Sequence, residues 1–237
     1  LPISSRGIGL ACAAAFAQAG AHVTLAARSA AALEEAAAAF RAEGWSAAAL
    51  PLDITDTGTV AAAIEAAEPF DILLNNAGLA RHSVFTETEP TDYDAAMAIN
   101  VRAAYFIAQA VAKRLIAAGR PGAIVNLSSQ MGHVGGPKRA VYCATKHAME
   151  GMTKAMALDL GPHGIRVNTV GPTFIETELT KGSLADPDFR DWVMSKIALG
   201  RLGTVEDVMG PVVFLASDAA RLITGTSLLV DGGWTAA

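Results

Sequence analysis

Two side chains that could do proton chemistry, Tyr142 and Lys146, lie four residues apart. If this stretch is helical, that spacing places both side chains on one face of the helix. A lysine ammonium beside a phenol favours the phenolate, so it would lower a tyrosine pKa that is ordinarily about 10. A tyrosine tuned in this way can exchange a proton with a carbonyl oxygen near neutral pH. A half-buried helix whose lysine only reaches water would show the same pair.

The segments around this pair alternate between helix and strand. Short apolar runs, typical of strands buried on both faces, are separated by longer helical patterns. The pattern predicts one long helix over 93–118 and a second over 141–160, which carries the pair. It favours an α/β fold with a doubly wound, Rossmann-type parallel sheet, whose ligands bind outside the carboxyl ends of the strands. Polar and glycine residues follow the predicted strands at those ends: Arg28, Asp53, Asn76, Ser129 and Gly171.

Composition limits the class of protein. The 237 residues, of which 52% are hydrophobic and 17% charged, are enough for a single domain over 1–237. A formal charge of −5 provides no basic surface for nucleic acid or an anionic membrane, and no uninterrupted apolar run reaches the length of a membrane span. Cys12 and Cys143 form no disulfide framework, and the histidines form no spaced ligand set, so no metal is predicted. A reducing cytoplasm is the expected location.

The first predicted helix opens with a glycine-rich stretch. Glycines at a helix start let backbone N–H groups approach a pyrophosphate at the positive end of the helix. An ordinary glycine-rich helix start would look the same, because short glycine patterns recur by chance. The residues concerned are Ser5, Arg6, Gly7, Ile8 and Gly9.

Taken together, in their order and at their separations, the motifs resemble those of the short-chain dehydrogenase/reductase family. The resemblance covers nearly the whole chain. It implies an NAD(P)-dependent enzyme that interconverts a carbonyl and a secondary alcohol of a small molecule by hydride transfer. The motifs are Gly7-Ile8-Gly9, Asn75-Asn76-Ala77-Gly78, Asn100, Ser129, Tyr142 with Lys146, Gly171-Pro172 and Val230-Asp231-Gly232-Gly233.

The resemblance implies a role for each of four catalytic residues. Tyr142 would be the general acid in ketone reduction and the general base in alcohol oxidation. Lys146 would lower the tyrosine pKa and hold the nicotinamide ribose hydroxyls. Ser129 would hydrogen-bond the carbonyl oxygen, and Asn100 would hold a water that links Lys146 to solvent. An asparagine that only bonds its own helix backbone is the alternative for Asn100.

The same resemblance implies three groups of cofactor contacts: one for the adenine, one for its ribose and the cleft floor, and one for the nicotinamide. In that order they are Asp53 with Ile54; Asn76, Ala77 and Gly78; and Pro172, Ile175 and Thr177. Thr173 stands where many relatives have glycine after the proline. We expect a local backbone adjustment there that leaves Thr177 in place.

In this family, the residues at the end of the second strand select the cofactor. In this chain they predict a preference for NADP(H), with NAD(H) possible. Ala27 stands where an NAD-selecting enzyme has an acidic residue, and Arg28 follows it. A guanidinium can hold a 2′-phosphate through two parallel charge-assisted hydrogen bonds. Arg6 approaches the same phosphate in NADP-selecting relatives, and Ser29 can add a hydroxyl donor. The alternative is that Arg28 is only solvated and both cofactors are accepted.

The beginning of the chain departs from the family pattern. Relatives begin with a strand that is followed by a threonine and a glycine. In this chain Pro2 and Ile3 stand at the positions of that threonine and glycine, and no strand precedes them. Because that strand is central in the fold, its loss would leave two strands without ladder partners. We therefore expect that residues precede Leu1 or that the start is locally misassigned.

The substrate is the least constrained feature. Residues 174–178 and 199–203 resemble bacterial β-ketoacyl thioester reductases and equally sugar and polyol dehydrogenases. A 3-oxoacyl thioester reductase-like activity is the first interpretation, and a sugar or polyol dehydrogenase is the alternative. A nucleotide-binding regulator without turnover is a rival of another class, disfavoured by the complete catalytic set. Residues 178–199 should form a substrate lid, and His133 could touch the substrate because it lies between Ser129 and Tyr142.

A homotetramer is the expected assembly. The helices around Tyr105 and Met149 carry more apolar and small residues than one sheet face needs to bury. Family relatives pair these two helices across a two-fold axis, with Gly232-Gly233-Trp234 at a second interface. Cys143, one helical step from Tyr142, is interpreted as a packed thiol.

Overall fold

The computed structural model describes residues 7–236, without the side chain of Leu179. The predictions for Ser5, Arg6 and the amino-terminal strand lie outside these residues. The helices are α1 Gly7–Gln18, α2 Ala30–Ala42, α3 Thr57–Ala66, α4 Pro90–Met97, α5 Ala104–Ala117, α6 Ala140–Leu160, α7 Glu178–Leu184, α8 Pro187–Lys196 and α9 Val205–Ala216. The strands are β1 Val23–Ala27, β2 Ala47–Pro51, β3 Ile72–Asn75, β4 Gly122–Leu127, β5 Ile165–Pro172 and β6 Ser227–Val230.

All strand pairs are parallel, as the short apolar runs predict. They form two ladders, β1–β2 and β3–β4–β5–β6. Within residues 7–236 no strand joins β1 to β3, so the sheet is divided between these two strands. Leu25 of β1 and Leu74 of β3 nevertheless lie in one apolar cluster, which packs the two ladders as one body.

Helices cover both faces of the strands, which is the doubly wound arrangement. Side chains of α1, α2 and α9 form one core against the strands, and side chains of α3 and α5 form a second. Neighbouring residues of a strand contribute to opposite cores, as Leu73 and Leu74 of β3 do. Burial on both faces explains why these strands read as continuous apolar runs.

The helix predicted over 93–118 is not continuous in its hydrogen bonding. Residues Ala98–Ala103 form a π-helical turn between α4 and α5, and Asn100 lies within that turn. Such turns are rare and frequently occur at functional sites.

The helical run Pro90–Ala117 is long and apolar enough, by length and composition alone, to cross a membrane. Buried core helices of globular proteins pass the same test. Ile107, Val111 and Leu115 of this run pack in the apolar core with α3. The run therefore has a packing role within the chain itself.

The predicted lid is largely helical. Residues 178–199 contain α7 and α8, and side chains of both helices pack in a third apolar cluster with Trp234 and Tyr142. Strand β5 extends past its predicted end to Gly171 and Pro172, which pair with Leu229 and Val230 of β6.

Candidate active site

Ser129 is the second residue after β4 and caps the short 3-10 helix Gln130–Gly132. Its Oγ accepts a hydrogen bond from the backbone N of Met131 at 3.1 Å and donates to Oε1 of Gln130 at 2.6 Å. The carbonyl oxygen of Pro172 lies 3.5 Å from the same hydroxyl. The neighbouring Ser128 is also buried, but its Oγ has no hydrogen-bond partner among the described residues. The choice of Ser129 rather than Ser128 as the contact of the carbonyl oxygen stays a prediction.

Tyr142 lies in the first turn of α6 and is hydrogen-bonded to Ser129. That bond lowers the pKa of Tyr142, but burial has the larger effect and raises the pKa above its ordinary value. The predicted lowering of the tyrosine pKa is therefore wrong for this arrangement. The ring of His82 packs edge-on against the Tyr142 ring, with centroids 6.1 Å apart. The phenol is protonated at neutral pH, and its raised pKa makes it a weaker acid than an exposed tyrosine.

Lys146 is buried one turn after Tyr142, on the same face of α6. Its Nζ donates to the carbonyl oxygen of Leu127 at 2.8 Å and lies 5.6 Å from the centroid of the Tyr142 ring. Burial lowers the pKa of Lys146 to about 8, although the charge of Glu150 opposes this shift. A Cβ built on Gly78 would lie 4.0 Å from Nζ, so the loop after β3 passes close to this ammonium.

Asn100 is fully buried and connects that loop to α6. Its Oδ1 accepts from the backbone N of Leu79 at 2.7 Å, and its Nδ2 donates to the Leu79 carbonyl oxygen at 2.8 Å. The same Nδ2 donates to Oγ1 of Thr145 at 3.0 Å, and that hydroxyl donates to the carbonyl oxygen of Tyr142. The alternative of a bond to its own helix does not apply, because its partners lie on two other segments. Its predicted role in holding a water stays a prediction.

The predicted adenosine contacts follow β1 and β2. Arg28 is exposed at the end of β1, and no carboxylate of residues 7–236 forms an ion pair with it. Ser29 caps α2 by accepting from the backbone N of Ala32 at 3.3 Å. The Oδ1 of Asp53 accepts from the N and Oγ1 of Thr55, and these bonds lower the pKa of Asp53.

The predicted phosphate and ribose contacts begin at α1 and β3. Gly7 starts α1 with φ +57°, a conformation that side chains with a Cβ rarely adopt. Ile8 is half-buried and Gly9 is buried in the first turn, which contains no acidic residue to occupy the positive end of the helix. Asn76, Ala77 and Gly78 form the segment after β3. Ala77 and Ile54 line one small cavity, so the ends of β2 and β3 meet there.

The predicted nicotinamide contacts lie after β5. Pro172 and Ile175 are buried, and Ile175 forms a bridge with Gly203. Thr177 caps α7 in a reciprocal pair with Thr180. Thr173 keeps its backbone bond to Val230 at 3.1 Å, but its Oγ1 is buried without a hydrogen-bond partner in the described part of the chain. The expected place of Thr177 beside a nicotinamide stays a prediction.

A second buried polar cluster lies behind Lys146. Glu150 accepts from Oγ1 of Thr169 at 2.9 Å and from Oγ of Ser227 at 3.4 Å. The Nε2 of His133 lies 3.0 Å from that serine and 3.5 Å from Glu150. The His133 ring is turned toward β6 by these contacts, and a contact of His133 with the substrate stays a prediction. The sequence signal for the cluster was a carboxylate one helical turn after the lysine.

An aromatic cluster separates the lid helices from the catalytic helix. Arg139, directly before α6, lies against two of its rings, with its guanidinium 5.0 Å from the Phe189 centroid. Cys143 lies 3.9 Å from the sulfur of Met131, and burial raises the pKa of Cys143, so it is a packed thiol. The four aromatic members are Phe174, Phe189, Trp192 and Trp234.

Cavity size alone does not identify the site. A cavity of about 480 Å³ is lined by Thr173, Arg201, Asp207 and residues 229–233, and none of the four predicted catalytic residues lines it. The chemistry instead converges where Ser129, Tyr142 and Lys146 meet. Gln130, His82 and Arg139 also lie there, and sequence reasoning assigned them no role.

The arrangement fits a dinucleotide with a nicotinamide at one end. An exposed cation stands at the end of β1, the start of α1 is free of acidic side chains, and a glycine faces the Lys146 ammonium. When bound, such a cofactor supplies or accepts a hydride. Beside it, the Ser129 hydroxyl could orient a carbonyl oxygen and the Tyr142 phenol could donate a proton.

Comparisons with known proteins agree with this reading. A family model described as enoyl-(acyl carrier protein) reductase matches residues 3–235. Gluconate 5-dehydrogenase of Gluconobacter oxydans (strain 621H) is 42% identical over 236 residues, which are 98% of this chain and 92% of that protein. D-erythrulose reductase of Gallus gallus is 41% identical over 231 residues, with coverage of 98% and 92%. The crystal structure of a gluconate 5-dehydrogenase from Burkholderia cenocepacia J2315, in complex with NADP and tartrate, matches with a TM-score of 0.96 and 37% identity, over 99% of this chain and 94% of that one.

Proposed function

The chain belongs to the short-chain dehydrogenase/reductase family and is an NAD(P)-dependent oxidoreductase, and we propose that it interconverts a carbonyl and a secondary alcohol of a sugar or polyol with NADP(H) as its preferred cofactor. The observation that carries this proposal is the convergence of Ser129, Tyr142 and Lys146 at the carboxyl ends of the parallel strands.

Tyr142 is the proposed general acid and base. The phenol carries its proton at neutral pH, since an ordinary tyrosine pKa is about 10 and burial raises the pKa of Tyr142 further, and it can donate that proton to the oxygen of a ketone as hydride adds to the carbon. Ser129 is the proposed hydrogen-bond partner of that oxygen, which gains negative charge in the transition state. A nucleotide-binding regulator without turnover would not need Ser129, Tyr142 and Lys146 together.

The relatives favour the sugar and polyol branch over a 3-oxoacyl thioester reductase. Gluconate 5-dehydrogenase and D-erythrulose reductase are named for polyhydroxylated substrates. The aromatic cluster under α7 and α8 supports the proposal that residues 178–199 form the lid over such a substrate, since it packs against Tyr142.

The proposed preference for NADP(H) rests on the end of β1. Arg28 is an exposed cation directly after the strand, and the preceding Ala27 offers no carboxylate to repel a phosphate. The similar gluconate 5-dehydrogenase from Burkholderia cenocepacia was crystallised with NADP.

A substrate panel tests the proposal. The consumption of NADPH is followed with ketoses, keto-aldonic acids and a short 3-oxoacyl thioester, and the reverse reaction with the matching alcohols. We expect turnover with polyhydroxylated ketones and little with the thioester. Faster turnover with the thioester would reverse the order of the two interpretations, and no turnover with any compound would support the regulator.

A cytoplasmic homotetramer is the proposed form of the enzyme. Tyr105 and Phe106 on α5 and Leu158 on α6 are exposed apolar side chains that a helix pairing across a two-fold axis would cover. Met149 is buried within the chain, so it does not contribute to that surface. Light scattering at micromolar concentration tests the assembly, and a monomer would contradict it.

A further inference from the structure

The side chain of Arg139 is buried between aromatic rings, an arrangement that proton and hydride transfer do not require. Only 7% of the residue is exposed, and its guanidinium lies 5.5 Å from the ring centroid of Phe174 and 5.0 Å from that of Phe189. Among the described residues, the guanidinium donates one hydrogen bond, from Nη1 to the carbonyl oxygen of Pro137 at 3.0 Å. Across residues 7–236, no carboxylate lies within ion-pair distance of this cation.

A buried cation without an anion is an unusual arrangement. Charged side chains are rarely buried unless they are paired, because desolvation of an isolated charge is costly. Burial lowers the pKa of Arg139, but an arginine still carries its charge at neutral pH. A guanidinium has five N–H donors, and one nitrogen of the Arg139 guanidinium, Nη1, has a hydrogen-bond partner among the described residues. The side chain therefore keeps donors that residues 7–236 leave unused.

Those donors lie beside the catalytic tyrosine. Arg139 precedes Tyr142 by three residues and is the N-cap residue of α6, in whose first turn Tyr142 lies. The charge of Arg139 lowers the pKa of both Tyr142 and His82, and these two rings are in contact. Phe189 belongs to α8 of the lid, so the guanidinium lies between the proton donor and the lid.

We propose that Arg139 binds the carboxylate of the substrate, and that the substrate is a polyhydroxylated carboxylic acid, an aldonic acid or its keto form, rather than a neutral sugar. The inference rests on the proposed function and narrows its substrate class. A guanidinium fork matches a carboxylate through two parallel hydrogen bonds. His82 supports a hydroxylated chain, because its ring packs against Tyr142 and a neutral imidazole both donates to and accepts from hydroxyl groups.

The test compares two ligands of equal chain length, D-gluconate and D-glucitol, which differ by a carboxylate in place of a CH₂OH group. Binding to the full chain with NADP⁺ is measured by calorimetry, and kcat/KM is measured in parallel. We expect the wild type to prefer gluconate at least tenfold, and Arg139→Met to lower the gluconate-to-glucitol ratio by about ten- to hundredfold. Arg139→Lys keeps the charge without the fork and should recover part of the ratio.

Lys138 provides a matched control, because it is an exposed cation next to Arg139. Its φ is +59°, so Lys138→Asn removes the charge with a residue that tolerates this conformation. That variant should change the ratio less than twofold. The proposal would be overturned if the gluconate-to-glucitol ratio were equal in the wild type and Arg139→Met, or if Lys138→Asn lowered that ratio as much as Arg139→Met does. It would also be overturned by a preference for 6-phosphogluconate over gluconate that depends on Arg139.

The two proposals fail in different ways. Gluconate binding that depends on Arg139, without turnover of any sugar compound, would reject the proposed function and keep the carboxylate site. Turnover of glucitol and neutral ketoses as efficient as that of gluconate, and insensitive to Arg139, would reject the carboxylate site and keep the function. Thermal unfolding of each variant, with Arg139→Gln as a further substitution, shows whether a lost ratio reflects lost folding.

Discussion

Replacement of Asn100 by alanine tests how the π-helical turn holds the site together. The side chain is fully buried and makes three hydrogen bonds, two to the backbone of Leu79 and one to Thr145. Each is worth about 0.5–1.5 kcal/mol net, so Asn100→Ala should lower the free energy of unfolding by roughly 1.5–4.5 kcal/mol. For a chain of this size the midpoint of thermal unfolding should fall by roughly 3–18 °C.

The same substitution should weaken NADPH binding. Leu79 directly follows Gly78, which faces the Lys146 ammonium, so freeing this loop removes a fixed wall of the predicted cofactor cleft. Urea unfolding followed by tryptophan fluorescence measures the stability change, and titration of NADPH fluorescence measures the binding change. Both should change together in Asn100→Ala.

Thr145→Val provides the control for this prediction, because it removes the hydroxyl that accepts from Asn100 and leaves the two bonds to Leu79. It also removes the bond from that hydroxyl to the carbonyl oxygen of Tyr142. A double-mutant cycle with Asn100→Ala isolates the Asn100–Thr145 bond, with an expected coupling of about 0.5–1.5 kcal/mol. A stability loss below about 0.5 kcal/mol in Asn100→Ala, of the size typical of surface substitutions, would refute the reasoning.

Three further predictions concern proton transfer, the cofactor phosphate and pH. Tyr142→Phe should reduce kcat by about 10²–10⁴-fold and leave NADPH affinity nearly unchanged, and near-normal turnover would reject the assigned proton donor. Arg28→Ala should weaken NADPH binding about ten- to hundredfold with little effect on NADH, whereas an NAD-favouring wild type would reject the NADP preference. NADPH affinity should fall as pH rises through about 8, because Lys146 then loses its positive charge. Glu150→Gln should move that midpoint to lower pH, since the Glu150 charge raises the Lys146 pKa. An unchanged midpoint would show that the charge of Glu150 does not affect the titration of Lys146.

Much of the fold and site follows from the sequence because the signals are local. The spacing of Tyr142 and Lys146 within one helix places them on one face whatever that helix packs against. The strand ends likewise place Arg28, Asp53 and Ser129 at the carboxyl edge, because parallel strands share a direction. The parallel sheet and the two layers of helices follow from apolar periodicity for the same reason.

The tertiary structure decided what depends on contacts between distant segments. The pKa of Tyr142 rises because neighbouring elements bury it, which no spacing along α6 reports. The partners of Asn100 lie 21 and 45 residues away, and His133 turns to Ser227 on β6, 94 residues away. Arg139 reads in the sequence as an ordinary charged residue before a helix. Only the packing of α8 and the segment after β5 against it creates a buried cation with unused donors, because burial and pairing are properties of the folded chain.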